Sequence, residues 1–504
     1  MRPYAFHTEP MDHQRRALRA ILQRKGVCGL LMDPGTGKSK VVIDYLAMLT
    51  LARGAQDWLI TAPLSALDGW PDQFEQHLPE GVKLQLIWMG DGAGSIESKA
   101  ERIRSLPPND GVLRVVLINH DAFGSKAKAT GRDGRKLSTV TVWDRIVEAI
   151  EAWAPDGMVV DESHRAKKHT ANRSKALQRI ARAVAQRIIL TGTVAPRNLL
   201  DVFGQWLILN PDRFGTDWHK FRYTYARWGG YMNKEPVAWL QTKDMRDRIL
   251  ADAFIIKKED ALDLPPVTEI VVPVQLSPKE ADAYVSMGDD MLAELPSGET
   301  SIAPIPITKL MRLRQLTGGF VGYELDGERA EERLGTSKAK VCVEKLSDLV
   351  DAGEKVVVFA HFRPDLDILE EMATKALPKA TPIYRIDGST PKGRRMEYRT
   401  GFRDHDGPAV FLAQMRTMSL GVNELVVASY GIVYSMSERR DDFDQALDRL
   451  DRQGQARPVT IYHLTVPDSV DELLLDGHRD KLDLERAITT ADDARRYLTL
   501  GGER

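Results

Sequence analysis

Short aliphatic and β-branched runs alternate along the chain with longer stretches whose apolar positions recur at helical spacing, the rhythm of parallel α/β sheets. In the first half the runs Gly29–Met32, Trp58–Ala62, Val115–Asn119, Met158–Val160 and Arg187–Leu190 predict strands. Each ends in a polar or glycine-containing segment, where open α/β sheets hold their ligands. Lys355–Ala360, Thr381–Ile386, Ala409–Ala413, Gly431–Ser435 and Val459–Leu464 repeat the rhythm in the second half. Two tandem parallel-sheet domains are therefore expected. From about Asn210 to Ser337 the pattern turns helical and irregular, broken at Leu264-Pro265-Pro266 and Leu295-Pro296-Ser297-Gly298. The expected organisation is a first lobe over 1–215, helical protrusions and a linker over 216–335, a second lobe over 336–475 and a charged helical brace over 476–504. No internal repeat, low-complexity tract or long block of like charge interrupts it.

Composition narrows the class. A chain of 504 residues suffices for two or three cored domains. Its net charge of −2 gives no global attraction to nucleic acid or an anionic membrane, so any such contact must be a local groove. Cys28 and Cys342 lie far apart in apolar segments with no metal-ligand spacing, which predicts two buried thiols in a reducing compartment. No apolar run approaches the ~18 residues of a membrane span, and the start Met1-Arg2-Pro3-Tyr4-Ala5-Phe6-His7 lacks a signal-peptide core. A cytoplasmic protein without membrane association is the expectation.

Three segments carry candidate chemistry. After the first strand, Gly35-Thr36-Gly37-Lys38-Ser39 reads as a phosphate loop. Its glycines let backbone N–H groups approach phosphate oxygens, Lys38 reaches the β- and γ-phosphates, and Ser39 can ligate magnesium. The full glycine pattern would place glycine at position 32, where this chain has Met32, and a chance Gly-Lys-Ser turn is the bland alternative. The apolar strand Met158-Val159-Val160 delivers Asp161 and Glu162, a magnesium-associated aspartate and a glutamate able to polarise water. A helix N-cap is the competing explanation. Within Gln445-Ala446-Leu447-Asp448-Arg449-Leu450-Asp451-Arg452-Gln453-Gly454-Gln455, two arginines at i and i+3 on one helical face can reach charge developing on a γ-phosphate. A solvated helix salt-bridged through Asp448 and Asp451 is the alternative there. The loop and the arginines suggest an ATP motor in which binding closes two lobes and hydrolysis opens them.

Further strings resemble the superfamily-two helicases, specifically their Swi/Snf-type DNA translocase branch, almost end to end. Pro10-Met11-Asp12-His13-Gln14 resembles the glutamine motif, and Thr61-Ala62-Pro63-Leu64-Ser65 followed by Trp70 resembles motif Ia. Asp161-Glu162-Ser163-His164-Arg165-Ala166-Lys167 is similar to a DEAH-like motif II, and Leu190-Thr191-Gly192-Thr193 to motif III. Leu209-Asn210-Pro211-Asp212-Arg213-Phe214-Gly215, Leu313-Arg314-Gln315-Leu316 and Ser337-Lys338-Ala339-Lys340 follow in branch order. Val357 to Phe362 leads into motif IV, and Tyr384-Arg385-Ile386-Asp387-Gly388-Ser389-Thr390 is among the most branch-specific strings. Gln445 to Gln455 resembles motif VI.

The resemblance implies two RecA-like lobes and a role for each matching residue. Gln14 recognises adenine. Gly35, Thr36, Gly37, Lys38, Ser39 and Gly421 bind ATP, with Ser39 and Asp161 on magnesium. Glu162 positions the hydrolytic water, Arg449 and Arg452 act as arginine fingers, and Gln445 lies near the γ-phosphate. His164, Thr191 and Thr193 couple nucleotide state to a DNA track reached by Ser65, Asn119, Lys167, Arg416 and Asn423. Two departures mark a divergent, minimal member of bacterial or phage type. The motif V segment Arg416-Thr417-Met418-Ser419-Leu420-Gly421-Val422-Asn423-Glu424 lacks two of the branch's glycines, and Ser437-Glu438-Arg439-Arg440 replaces its Trp-Asn-Pro.

The implied activity is a DNA-dependent ATPase motor, monomeric and bare of appended modules, translocating on duplex or branched DNA in preference to single strands and remodelling DNA structures or protein–DNA complexes. Replication or repair proteins are the implied partners. A strand-separating helicase and an ATP-switched clamp or annealing module are the alternatives. Trp218, Phe221, Tyr223, Tyr225, Trp228 and Tyr231, interleaved with Lys220, Arg222 and Arg227, could stack bases. Their amphipathic spacing favours packing in a small protrusion core instead.

Overall fold

The structure, a computed structural model, describes residues 4–90, 92–124, 143–192, 199–229, 235–293, 307–325, 328–418 and 423–479. It divides into two units, Met1–Asp263 and Leu264–Arg504.

The first unit is built on a seven-stranded sheet. Its strands are β1 (Val27–Met32), β2 (Gln56–Ala62), β3 (Leu84–Met89), β4 (Leu113–Asn119), β5 (Gly157–Val160) and β6 (Gln186–Thr191). A hairpin of β7 (Ala226–Gly229) and β8 (Glu235–Trp239) intervenes before β9 (Ala253–Ile256) completes the sheet. The order is β3-β4-β2-β5-β6-β1-β9, with every neighbouring pair parallel. Successive residues of one strand enter opposite cores: Trp58, Ile60, Val115 and Leu117 pack into one hydrophobic cluster, Leu59, Val116 and Ile118 into the other. That period of two, with helices on both faces, is why these strands read as continuous apolar runs.

The second unit repeats the plan with six strands. β10 (Val267–Pro273) precedes a small hairpin of β11 (Phe320–Leu325) and β12 (Glu328–Arg333). Then come β13 (Lys355–Ala360), β14 (Ile383–Ile386), β15 (Ala409–Gln414), β16 (Tyr430–Val433) and β17 (Val459–Thr465). Their parallel order is β10-β17-β16-β13-β15-β14. Val357, Phe359 and Phe411 face one core and Val356, Val358 and Val410 the other. Two helix-flanked parallel sheets are thus present, and each of the ten expected strands has its counterpart in them, with Thr381, Pro382, Tyr434 and Ser435 falling outside β14 and β16.

The stretch read as helical and irregular contains the helices Trp218–Tyr225, Thr242–Asp252, Pro278–Ala293 and Ile307–Thr317. It also gives each sheet an outer strand. β9 starts directly at the end of the helix Thr242–Asp252, so its four apolar residues prolong the helical pattern. β10 is exposed along most of its length, and its apolar run is interrupted by Thr268 and Glu269. Both expected thiols are free and buried, and burial pushes Cys28 up to about 12. No described helix is long and apolar enough to cross a membrane. The last described helix is Val470–Arg479; the rest of the expected brace lies outside the described residues.

Candidate nucleotide site and the motif loops of the second unit

β1 ends where the chain must turn into a helix, and glycines make the turn. Gly35 and Gly37 have φ of 79° and 83°, a region that disfavours a Cβ. Lys38 then opens the helix Lys38–Arg53, whose first N–H groups point out of its N-terminus. The loop is held from behind. Gln14 Nε2 donates to the Thr36 carbonyl at 3.2 Å, and His13 Nε2 stands 2.8 Å from the same oxygen. Gln14 Oε1 accepts from Met11 N at 3.0 Å. A Cβ on Gly37 would fall 2.2 Å from Gln14 Nε2 and displace that amide, and at φ 83° it would be strained in any case. Lys38 Nζ donates to the carbonyls of Met32 at 2.8 Å and Asp33 at 3.2 Å. Asp33 in turn accepts from Lys258 N at 2.9 Å, beside the end of β9. Sequence reasoning missed His13 and Asp33 as loop supports; their adjacency to Gln14 and the loop was the available signal.

β6 lies between β1 and β5, which brings Asp161 and Glu162 to the same carboxyl edge as the phosphate loop. Asp161 is buried. Its Oδ2 accepts from Trp70 Nε1 at 3.1 Å and its Oδ1 from Glu162 N at 2.9 Å. Burial and the Glu162 charge push its pKa up, opposed by the Lys38 ammonium and the Trp70 hydrogen bond. Burial acts upward on Glu162 too, but the His164 hydrogen bond and charge, with Lys38 and Arg165, hold it below the ordinary carboxylate range. The adjacent carboxyls are driven to different proton affinities. Glu162 has φ of 49° and precedes the turn Ser163–Ala166, but its side chain makes no capping hydrogen bond there. His164 Nδ1 stands 3.2 Å from Glu162 Oε2 and 3.1 Å from the hydroxyl of buried Thr191. Trp70, quoted in sequence only as following motif Ia, is therefore a direct partner of the acidic pair.

Of the remaining expected residues in the first unit, Ser39 is partly buried in the first turn of its helix. Ser65 belongs to the short helix Leu64–Leu67, and its side chain is outside the described set. Asn119 caps the turn after β4, accepting from Ala122 N at 3.0 Å, and Lys167 pairs with Asp201 at 3.4 Å. Thr193 and Gly421 lie outside the described residues.

In the second unit, Gln414 at the end of β15 accepts from Gly388 N at 2.9 Å and donates to the His361 carbonyl at 3.1 Å, tying the loops after β13, β14 and β15. Asp387 orders its own loop, accepting from Ser389 N at 2.8 Å and from Arg385 NH2 at 2.8 Å. The expected helical face carrying two arginines is corrected here. The helix Arg440–Leu447 contains half-buried Gln445 and ends before Arg449. Bonds from Arg449 N to Ala446 O and from Leu450 N to Leu447 O tighten the chain to i→i+3 turns, with Gly454 at φ 100° further on. Arg449 Nε donates to Met418 O at 2.8 Å, and Arg452 donates to Asn423 Oδ1. Both arginines therefore brace the segment after β15, from which exposed Arg416 also comes.

Comparison with known proteins gives two consecutive family matches: the SNF2-related domain over residues 13–317 and the helicase conserved C-terminal domain over 338–454. A Drosophila melanogaster SWI/SNF-related matrix-associated actin-dependent regulator of chromatin, subfamily A containing DEAD/H box 1 homolog, is 24% identical across 93% of this chain and 59% of its own length. The human lymphoid-specific helicase is 22% identical across 93% of this chain and 61% of its own. The chain thus spans about three-fifths of these two curated relatives. Among solved structures, a Sulfolobus solfataricus SWI2/SNF2 ATPase core in complex with dsDNA aligns with 98% of this chain and 96% of that one, at 18% identity and a TM-score of 0.40.

Proposed function

Because this chain belongs to the SNF2-related family, we propose that it is a DNA-dependent ATPase motor that translocates on duplex or branched DNA and remodels DNA structures or protein–DNA complexes. The observation that carries this reading is the shared carboxyl edge of β1, β6 and β5, where Lys38, Asp161, Glu162 and Thr191 converge. In it Lys38 leaves its two loop carbonyls for the β- and γ-phosphates, and the N–H groups of Gly35, Thr36 and Gly37 cradle them. The Ser39 hydroxyl and the Asp161 carboxylate are hard oxygen donors suited to magnesium, which would neutralise phosphate charge. Asp161, whose buried charge is costly alone, fits a cation partner. Glu162, held ionised by His164 and Lys38, orients the attacking water. Arg449 and Arg452 would supply charge to the γ-phosphate, with Gln445 beside them, and His164 with Thr191 and Thr193 would report the nucleotide state.

Ser65, Asn119, Lys167, Arg416 and Asn423 are the proposed track contacts. Phosphate contacts would dominate, making activity salt-sensitive and largely independent of sequence. The test is ATP hydrolysis by the wild type and Lys38→Ala with duplex circles, single-stranded circles, forked DNA and RNA at two salt concentrations. Strong Lys38-dependent stimulation by duplex or forked DNA is the expected result. Tight DNA binding with no stimulation by any nucleic acid would overturn the motor reading.

A further inference from the structure

The protrusion formed by the helix Trp218–Tyr225 and the hairpin β7–β8 holds more aromatic surface than its packing uses. Seven of the chain's 35 aromatic residues fall in positions 218–240. Phe221 and Tyr225 are buried, and Trp218 stacks on Phe221 at 6.0 Å and packs on Phe203 at 5.2 Å, as amphipathic spacing predicts. Tyr223 remains 61% exposed and Trp239 38% exposed. Exposed Lys220 shares a helix face with Tyr223 at i, i+3. The Arg222 guanidinium carbon stands 3.8 Å from the centre of the Trp228 ring and 5.0 Å from that of Tyr223, a cation between two π faces. Arg227 projects from β7 to solvent.

The carboxylate nearest in sequence to this helix, Asp217, caps the helix backbone, accepting from His219 N and Lys220 N. Among the described residues none of Lys220, Arg222 and Arg227 has a carboxylate partner, whereas nearby Arg213 pairs with Asp252 at 2.6 Å and Arg248 with Asp244 at 2.9 Å. An exposed tyrosine ring, with Arg222 over one face and exposed Lys220 and Arg227 nearby in sequence, matches a polymer that presents phosphates and unstacked bases together. A duplex offers the phosphates but keeps its base faces stacked. We propose that this protrusion is a binding site for single-stranded DNA, additional to the motif loops, with a base stacked on Tyr223 and phosphates on Lys220 and Arg227. The site would let the protein engage the unpaired arm of a forked or gapped substrate. This deepens the proposed function and rests on it in taking DNA as the polymer.

The experiment measures fluorescence anisotropy of labelled oligothymidine with the full chain, nucleotide-free, over a salt series, alongside duplex-stimulated ATP hydrolysis. Tyr223→Ala is expected to weaken oligothymidine binding about tenfold while Tyr223→Trp retains it, since stacking needs a ring rather than a hydroxyl. Lys220→Gln with Arg227→Gln is expected to flatten the dependence of log affinity on log salt by about 1.4, from ~0.7 per phosphate on single strands. All three side chains are exposed, so these variants should keep wild-type thermal unfolding and duplex-stimulated hydrolysis. Wild-type affinity and salt slope in both sets would overturn the site. If wild-type hydrolysis ignores every DNA yet Tyr223→Ala still loses oligothymidine, the motor reading fails and the site stands.

Discussion

His164 Nδ1 lies 3.1 Å from the hydroxyl of Thr191, joining the turn that follows the acidic pair to the end of β6. The same nitrogen is 3.2 Å from Glu162 Oε2, so a change at that carboxylate, the proposed orienter of the attacking water, reaches the strand end through one imidazole. Thr191→Val keeps the shape and removes the hydroxyl. A typical intramolecular hydrogen bond is worth about 0.5–1.5 kcal/mol, which at the transition state is about two- to tenfold in rate. DNA-stimulated hydrolysis should fall by that factor while hydrolysis without DNA stays within about twofold. Equal loss with and without DNA would show that Thr191 serves the chemistry rather than the coupling.

Lys338 and Asp471 form a buried ion pair at 2.5 Å in the second unit, with Thr317 Oγ1 donating to the other Asp471 oxygen at 2.9 Å. The three come from three helices, so the pair pins the last described helix to the sheet's flanking layer. Removing one partner leaves a buried charge and typically costs about 3–5 kcal/mol, whereas replacing both by apolar groups costs far less. Lys338→Met should therefore strongly destabilise the second unit, and Lys338→Met with Asp471→Leu should recover much of the loss. The sequence offers a clean assay: all nine tryptophans lie between positions 58 and 239. Tryptophan fluorescence reports unfolding of the first unit alone, and circular dichroism reports both. A double variant no more stable than Lys338→Met would sink the argument.

Asp365 gives the second unit a pH dependence. Burial pushes its pKa up to about 7, opposed by the Ser435 hydroxyl, the Lys338 charge and the Phe362 N–H and assisted by Asp471. Unfolded, the carboxyl titrates near ~3.9. The native state thus holds the proton more tightly, and the resulting stabilisation is fully present below about pH 4 and lost as pH rises through about 7. Asp365→Asn stays neutral throughout. Its second-unit transition, followed by circular dichroism, should gain on the wild type from pH 5 to about pH 7 and level off by pH 8. A constant difference across that range would show that the carboxyl titrates normally in the folded protein.

Legibility in the sequence followed burial. Strands such as Leu113–Asn119 and Lys355–Ala360 lie in sheet interiors, so their central runs Val115–Ile118 and Val356–Ala360 are buried and apolar on both faces and stand out. β3 and β10 sit at sheet edges and β9 at the other edge of the first sheet, where half-exposed residues blur the signal. The glycine turn and the acidic pair stood out through their residue types and spacing, and the structure brings both to one edge of the first sheet. Trp70 was not, because its indole hydrogen bond to Asp161 joins a helix to a strand end that only folding brings together, and His13 was signalled only by its adjacency to Gln14. The helix expected through Arg449 and Arg452 stops at Leu447, because sequence spacing alone does not distinguish a helical turn from the tighter turns that follow.

Gly204 offers the sharpest test of how the acidic pair is held. It lies in the wholly buried helix Val202–Leu209, where an added Cβ would stand 2.3 Å from the Lys167 carbonyl oxygen and 2.6 Å from that of Ala166. These are backbone atoms, which cannot rotate away as a side chain would. The same helix region grips that turn twice more: Ser163 Oγ donates to Gln205 Oε1 at 2.8 Å, and Lys167 pairs with Asp201 at 3.4 Å. Gly204→Ala must therefore displace the turn that begins at Glu162, although alanine is the better helix former by up to about 1 kcal/mol. Overpacking of this kind costs about 1–3 kcal/mol, so the tryptophan-monitored transition should fall. The displacement acts on Glu162 and His164 rather than on the phosphate loop, so the hydrolysis rate should drop severalfold more than affinity for a non-hydrolysable ATP analogue. Alanine at 204 with wild-type stability and turnover would mean that the helix yields to the added methyl, and that the close approach at Gly204 does not set the shape of the turn.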